Sequence, residues 1–306
     1  MYHEAMKQQF LSGYKGNTLR YNQSLLEKLK AGEAAIGKDI GEMTKEEWSR
    51  AIQCTGAYQY ASVARYVTVL KSYAKWYSDH VRQLLNAQID GFSSEDVDIT
   101  ENMRRAIPYP LEPLLAAMEE YPAKEGFLQQ PVACLAYLGL DRSQMQALKK
   151  DAVKLRKNTV IIKLQDRQIT SEQDAIFRVF KEYSKVDPEK QYVRHHIAMQ
   201  QQDLGYYLKR MHTVRSKLKD RPLSVAEISR SLTWFAEQHP AYREVSISLL
   251  NLAGGLCRLW EAEQREGSIS EELLRQEFQL LPPKGTKEAR NTYLAFRRAF
   301  GLARDS

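Results

Sequence analysis

Apolar positions recur at helical spacing through most of the chain. The best-patterned stretch runs from about Ala61 to His80. On a wheel of ~100° per residue, Val63, Tyr66, Val67, Leu70, Tyr73, Ala74 and Tyr77 share one arc. Ser62, Arg65, Thr68, Lys71, Ser72 and Lys75 share the opposite arc. The first arc packs into a bundle. The second suits phosphate contact, where Ser and Thr donate and Lys and Arg neutralise, or else stands as an ordinary solvated face. Another helix begins near Thr18 and carries Leu25, Leu26 and Leu29. Capping boxes mark further helix starts at Thr44 with Glu47, Ser224 with Glu227, and Ser268 with Glu271. The N-terminal part reads as four or so helices. No period of roughly 30–45 residues recurs, so a helical solenoid is not supported.

Two stretches break the helical pattern. Residues 88–110 bring Gly, Ser, acids and two prolines together, as an interdomain linker does. This predicts a helical domain over 1–90, a linker over 91–107 and a second domain over 108–306. The other break is Thr159 to Thr170, TVIIKLQDRQIT. Its β-branched run, turn and return predict a short hairpin, preceded and followed by helix. The fold class expected is mostly α, in two domains, with a small β-hairpin or sheet in the second.

Hydrophobic residues make up 43% and charged residues 27% of the chain, a globular composition and not a disordered one. No apolar run approaches the ~20 residues of a membrane helix. The first residues carry no apolar segment of the secretory kind. Cys54, Cys134 and Cys257 are odd in number, far apart and in no CxxC spacing. A disulfide framework or structural zinc is therefore not expected, and a reducing cytoplasm is. His195 and His196 are adjacent and point apart, with no carboxylate or Cys at ligand spacing. No metal or other cofactor is expected, and no Gly-rich phosphate loop, HExxH or GxSxG occurs. The net charge of +7 and a pI of about 9.1 favour nucleic acid or an acidic surface as partner. Lys209, Arg210, His212 and Arg215 form a basic cluster that faces DNA or water. Lys154, Arg156 and Lys157, just before the hairpin, form another.

Residues 131–170 then read PVACLAYLGLDRSQMQALKKDAVKLRKNTVIIKLQDRQIT. This order resembles the catalytic-domain entry of tyrosine recombinases, the phage integrases. In that family an apolar helix leads to a Gly-Leu-Arg turn, a second helix, an Asp-Val or Asp-Ile pair and a lysine-bearing hairpin. The counterparts are Gly139-Leu140, Met145 and Leu148, Asp151-Ala152-Val153, and Lys163 with Arg167. Asn17-Thr18-Leu19-Arg20 and the Ser62–Lys75 helix fit two places in the family's helical core-binding domain. The resemblance implies a recombinase-like body that grips double-stranded DNA. It assigns DNA contact to Asn17, Thr18, Arg20, Ser62, Arg65, Thr68, Lys71, Lys75, Arg142, Lys149, Lys150, Lys163 and Arg167.

The family's reaction needs two arginines to hold the phosphate oxygens where charge builds up, a lysine and histidines for proton transfer, and a tyrosine nucleophile. The arginine expected after Gly-Leu is Asp141, and Arg142 one place later is turned by about 100°. In the expected His-x-x-Arg box, Ser248 and Asn251 stand at the histidine and the arginine. A rival placement puts Arg230 at the arginine. Tyr293 falls where a nucleophile stands, or is a helix-packing tyrosine. The chain thus looks like the recombinase-like master repressors of SPβ-like prophages. That resemblance implies no catalysis, operator binding that silences lytic genes, and a regulatory peptide or protein antagonist as a candidate further partner. An active integrase with an atypical motif and a helical protein-interaction module are the alternatives.

Overall fold

The computed structural model describes residues 3–81, 90–120, 128–185, 191–194, 197–202, 204–213, 221–280 and 286–302; over 191–202 and 210–213 it describes backbone only. Among the described residues there are thirteen α-helices and two three-stranded sheets. The chain divides into two compact units, Met1–Arg105 with Ala262–Ser306, and Ala106–Glu261.

The first unit is helical. It holds α1 (Glu4–Leu11), α2 (Gly16–Ile36), α3 (Lys45–Gln53) and α4 (Tyr60–His80). Leu25, Leu26 and Leu29 are buried on α2. The whole predicted apolar arc of α4 is buried, from Val63 to Tyr77. Thr44 caps α3 in the expected box with Glu47. A fully buried ion network joins three elements of this unit. The Lys7 ammonium of α1 contacts the carboxylates of Glu33, on α2, and Asp39. It also lies 4.0 Å from the centre of the Tyr73 ring on α4. Burial holds the Glu33 carboxyl above its ordinary range, against the pull of Lys7.

The expected linker over 91–107 differs from what folds there. It contains a 3-10 turn over Ser94–Asp96 and α5 (Thr100–Ala106). Phe92, Val97, Ile99 and Met103 are buried. Gln53 Nε2 donates to Asp98 O at 2.9 Å, and Tyr60 Oη donates to Val97 O at 3.1 Å. Gly, Ser and acids dominate the local composition, but apolar residues spaced between them supply a packed wall. Residues 262–306, expected in the second domain, group with the first unit. There α13 (Thr286–Ala299) buries Ala289, Thr292, Tyr293, Phe296 and Ala299. Thr292 Oγ1 accepts from Tyr60 N at 3.0 Å, and Arg104 Nε donates to Ala299 O at 3.0 Å. The expected start at Ser268 shifts by two residues. α12 (Glu271–Glu277) is capped by Ser270, whose hydroxyl accepts from Leu273 N.

The second unit packs α6 (Glu112–Glu120), α7 (Gln129–Tyr137), α8 (Arg142–Ala147), α9 (Asp174–Ser184), α10 (Val225–Gln238) and most of α11 (Ile247–Glu266). Residues 131–138, most of α7 and its C-cap, are buried without a break, so α7 is a core helix with no wet face. Ser224 and Glu227 form the predicted capping box of α10.

The predicted hairpin is one side of a sheet, β1 (Val153–Arg156), β2 (Thr159–Lys163) and β3 (Gln168–Ser171), all antiparallel. β1 replaces the helix expected before the hairpin. The β1–β2 turn places Lys157 at φ 43° and Asn158 at φ 63°. Two successive left-handed residues make the tight turn whose twist matches paired strands. The second sheet, β4 (Gln191–Arg194), β5 (Ile197–Gln202) and β6 (Arg210–Thr213), is also antiparallel. Among the cysteines, Cys54 is exposed, and Cys134 and Cys257 are buried.

Candidate nucleic-acid interface

Strand register decides what the β1–β2–β3 sheet presents. Directly paired residues share a face. Lys154 pairs with Ile161 and Ile161 with Thr170; Arg156 pairs with Thr159; Lys163 pairs with Gln168. Val153, Leu155, Val160, Ile162, Ile169 and Ser171 fall on the other face, where Val160, Ile162 and Ser171 are buried. The outward face therefore carries Lys154, Arg156 and Lys163 among Thr159, Gln168, Thr170 and Ile161, with no acid. Lys154, Arg156, Lys163, Gln168 and Thr170 are exposed. Lys157 extends the cationic surface at the hairpin tip.

On α4 the exposed line is Ala61, Arg65, Thr68, Ser72, Lys75 and Asp79. Lys71 lies on its half-buried shoulder. Ser62 lies off the line, turned by about 100° from Ala61, and is half-buried. It does not share the polar face that the wheel gave it. The hydroxyls also differ from expectation. Thr68 Oγ1 donates to Ala64 O at 2.9 Å, and Ser72 Oγ donates to Thr68 O at 2.9 Å. Their protons are spent on the helix itself, so these oxygens accept and do not donate. Asn17, Thr18 and Arg20 are exposed in the first turns of α2.

The turn between α7 and α8 is the best-defined part of the site. α7 closes with a paired C-terminal bond pattern, in which Leu140 N donates to Leu135 O at 3.0 Å and Gly139 N to Ala136 O at 2.8 Å. Gly139 takes the left-handed φ of +91° that this closure requires. Asp141 then caps α8. Its carboxylate accepts from Gln144 N at 2.8 Å, and its own N–H donates to Gln144 Oε1 at 3.0 Å. The carboxylate at the expected arginine position is thus turned to its own helix start, where it is stabilising.

Three side chains bind the turn's carbonyl oxygens. Arg258 Nη1 donates to Tyr137 O at 2.7 Å, Arg167 Nη2 to Gly139 O at 2.9 Å, and Asn251 Nδ2 to Leu140 O at 3.3 Å. The structure therefore brings Asn251 to the Gly-Leu turn. Close approach of α11 to this turn rests on Gly254, because a Cβ there would overlap Tyr137 O. Arg258 went unrecognised in the sequence. Its signal is its place seven residues after Asn251, two helical turns along the same face. Ser248, Arg142 and Arg230 are exposed, and none is joined to this turn by a hydrogen bond among the described residues.

Lys149 lies with its ammonium 3.5 Å from the Tyr206 ring centre, and Lys150 is exposed beside it. Lys209 is buried, so it does not belong to an exposed basic cluster. His195, His196 and Arg215, and the side chains of Arg210 and His212, lie outside the described residues. Among the described residues no group of three or more His, Cys, Asp or Glu could hold a metal ion, and no helix is long and apolar enough to cross a membrane.

Tyr293 is 2% exposed. Its hydroxyl donates to Glu263 Oε2 at 2.6 Å, and Arg297 Nη1 lies 3.1 Å from the same carboxylate oxygen. A nucleophilic tyrosine must reach a phosphorus atom and lose its proton to a base in the process. This one is packed in a helix interface beside a paired carboxylate.

No curated protein sequence matches the chain. Among solved structures it is similar to XerA recombinase, at 14% identity over 99% of this chain and 100% of that one, with a TM-score of 0.39. It is also similar to the Tn1549 transposon integrase in complex with transposon right end DNA, at 12% identity over 96% and 98% of the two chains, with a TM-score of 0.36. Residues 1–79 match the family model described as MrpR, N-terminal core-binding domain, and over that segment the chain is MrpR-like.

Proposed function

We propose that the chain is a sequence-specific double-stranded DNA-binding protein that represses transcription from its operator and does not cut it. The observation that carries the binding is the outward face of β1–β2–β3. There Lys154, Arg156 and Lys163 stand among hydroxyl and amide side chains with no carboxylate. Cations of this kind neutralise backbone phosphates and release counterions. Arg65, Lys71 and Lys75 on α4, and Asn17, Thr18 and Arg20 on α2, add contacts in the MrpR-like segment. The prophage setting and the silencing of lytic genes are part of the proposal and rest on the resemblance to the recombinase-like prophage repressors.

Loss of cleavage is proposed on three placements. Asp141 is engaged as a helix cap, Asn251 holds a backbone carbonyl, and Tyr293 is buried against Glu263. Without two arginines on the phosphate the main electrostatic stabilisation of the transition state is missing.

An electrophoretic shift on operator fragments from the chain's own genome tests the binding. Salt-sensitive retention is expected, and its absence from every such fragment sinks the reading. A nicked suicide duplex tests the chemistry. No covalent adduct is expected, and one that Tyr293→Phe abolishes would establish a recombinase instead. A reporter behind a lytic promoter should be silenced by the intact chain and released by reversal of Lys154, Arg156 and Lys163.

A further inference from the structure

The second unit carries a groove of about 320 Å³ that none of the residues assigned to DNA contact lines. Its walls are α6 and α9, which both pack on α7. On α6 the lining positions are Glu112, Leu115, Ala116 and Glu119. On α9 they are Ala175, Arg178, Val179 and Glu182. Each set follows i, i+3, i+4, i+7, the stripe by which one helix meets another. The α6 stripe is apolar in the middle and acidic at both ends. Leu115 and Ala175 are each 5% exposed, and Ala116 is exposed, so small and buried side chains leave the space between the walls open. Gln130 of α7 ties the base of the groove to α6, donating Nε2 to Leu115 O at 2.9 Å. Three carboxylates and one guanidinium line the groove, which is therefore acidic on a chain of net charge +7. Glu182 is paired with Lys185 at 2.6 Å. Glu112, Glu119 and Arg178 form no ion pair among the described residues, and α6 has no basic residue of its own.

We propose that this groove receives a basic amphipathic helix of a partner protein. The partner's apolar stripe lies between α6 and α9, and its lysines or arginines meet Glu112 and Glu119. An amphipathic helix laid into a groove is read through anchors at i, i+3, i+4 and i+7, the same spacing that both walls present. From Glu112 to Glu119 the helix rises about 10 Å, so two turns of a partner fit between the acids. Opposite charge fixes the register of such a contact and rejects acidic partners. DNA does not suit the groove, because Glu112 and Glu119 repel phosphate. The helix that forms one wall, α9, also packs on β1 and β2, so a partner here touches the element beneath the cationic sheet. The inference goes beyond the DNA-binding reading and does not rest on it.

The test uses the full chain and a fluorescein-labelled synthetic peptide. The peptide is an alanine-based helix with leucines at i, i+3, i+4 and i+7 and lysines on either side of that stripe. Its twin carries glutamate at every lysine. Fluorescence anisotropy should show saturable binding of the basic peptide and none of the acidic twin. Glu112→Lys combined with Glu119→Lys should weaken binding by about tenfold or more, since like charges then face each other. Ala116→Trp keeps both acids and fills the groove, and should weaken binding as much. Glu112, Glu119 and Ala116 are all exposed, so both variants should fold, which circular dichroism checks. Should Ala116→Trp not fold, the charge-reversed variant decides alone. Equal binding to the unaltered chain and the charge-reversed variant, equal binding of the two peptides, or no binding to the unaltered chain overturns the proposal. If sedimentation shows that the unaltered chain self-associates and the charge-reversed variant does not, the occupant is a second copy and the partner protein is overturned. No duplex is present in the titration, so a failure here and a failure of the DNA-binding reading are separate results.

Discussion

The exposed face of α4 and the outward face of the β1–β2–β3 sheet are built from the same residue types, yet they present different chemistry. On α4 the hydroxyls of Thr68 and Ser72 give their protons to carbonyls four residues back, and the line ends in Asp79. On the sheet, the cations Lys154, Arg156 and Lys163 stand with no acid on their face, and the Thr159 hydroxyl donates to Lys157 O at 3.5 Å. A helix offers its side-chain hydroxyls a local acceptor every turn, so the hydroxyl content of a helix face does not measure what it can donate. We propose the acid-free sheet as the stronger phosphate-binding face and α4, whose line ends in Asp79, as the weaker.

The comparison can be broken first from beneath. The α4 face rests on Tyr73, which lies against the buried Lys7 ammonium. Lys7→Met would leave Glu33 and Asp39 buried without a cation, and should lower stability by about 3–5 kcal/mol in a denaturant titration. A loss below about 1 kcal/mol would mean the network is dispensable. Next, charge reversal at Lys154, Arg156 and Lys163 should reduce the salt slope of duplex binding by about 3, and reversal at Arg65 and Lys75 by no more than about 2. The opposite ranking would place the main contact on α4.

A third test uses pH. The folded Glu33 carboxyl titrates above its ordinary 4.5, chiefly through burial. Just above pH 4.5 the folded chain therefore holds more protons here than the unfolded chain. Stability should fall as pH rises from there through the raised value. Glu33→Gln should flatten that part of a stability–pH curve, and an unchanged curve would remove Glu33 as its source. The smallest effect belongs to Asp141→Ala. Losing the cap should cost about 1 kcal/mol, with the duplex salt slope unchanged. A steeper slope would show that Asp141 acts on DNA and not only on α8.

Local signals in the sequence were sufficient for α3, α4 and α10. The apolar arc of α4 and the boxes at Thr44 and Ser224 each depend on residues within a few turns of one another. Non-local signals were not. β1 alternates for only four residues after a lysine-rich run, and its partner strand defines it. The return of residues 262–306 to the first unit depends on Thr292 meeting Tyr60, 232 positions away. At the candidate site, Lys163 and Arg167 could be named from the hairpin. Arg258 could not, because its contact at Tyr137 lies 121 positions away. Asp141 was named from its place after Gly139-Leu140, and its role as a cap needed the bond to Gln144 N.

The unequal burial of the three cysteines has a practical consequence. The Cys134 thiol is fully enclosed, and burial raises the Cys257 thiol to about 11, so neither supplies much thiolate near neutral pH. Cys54, at the C-terminal end of α3, is exposed. A maleimide dye should therefore couple at a single point in the MrpR-like segment without any engineered residue. The unaltered protein then carries its own reporter for following, by fluorescence, whether that segment meets a duplex.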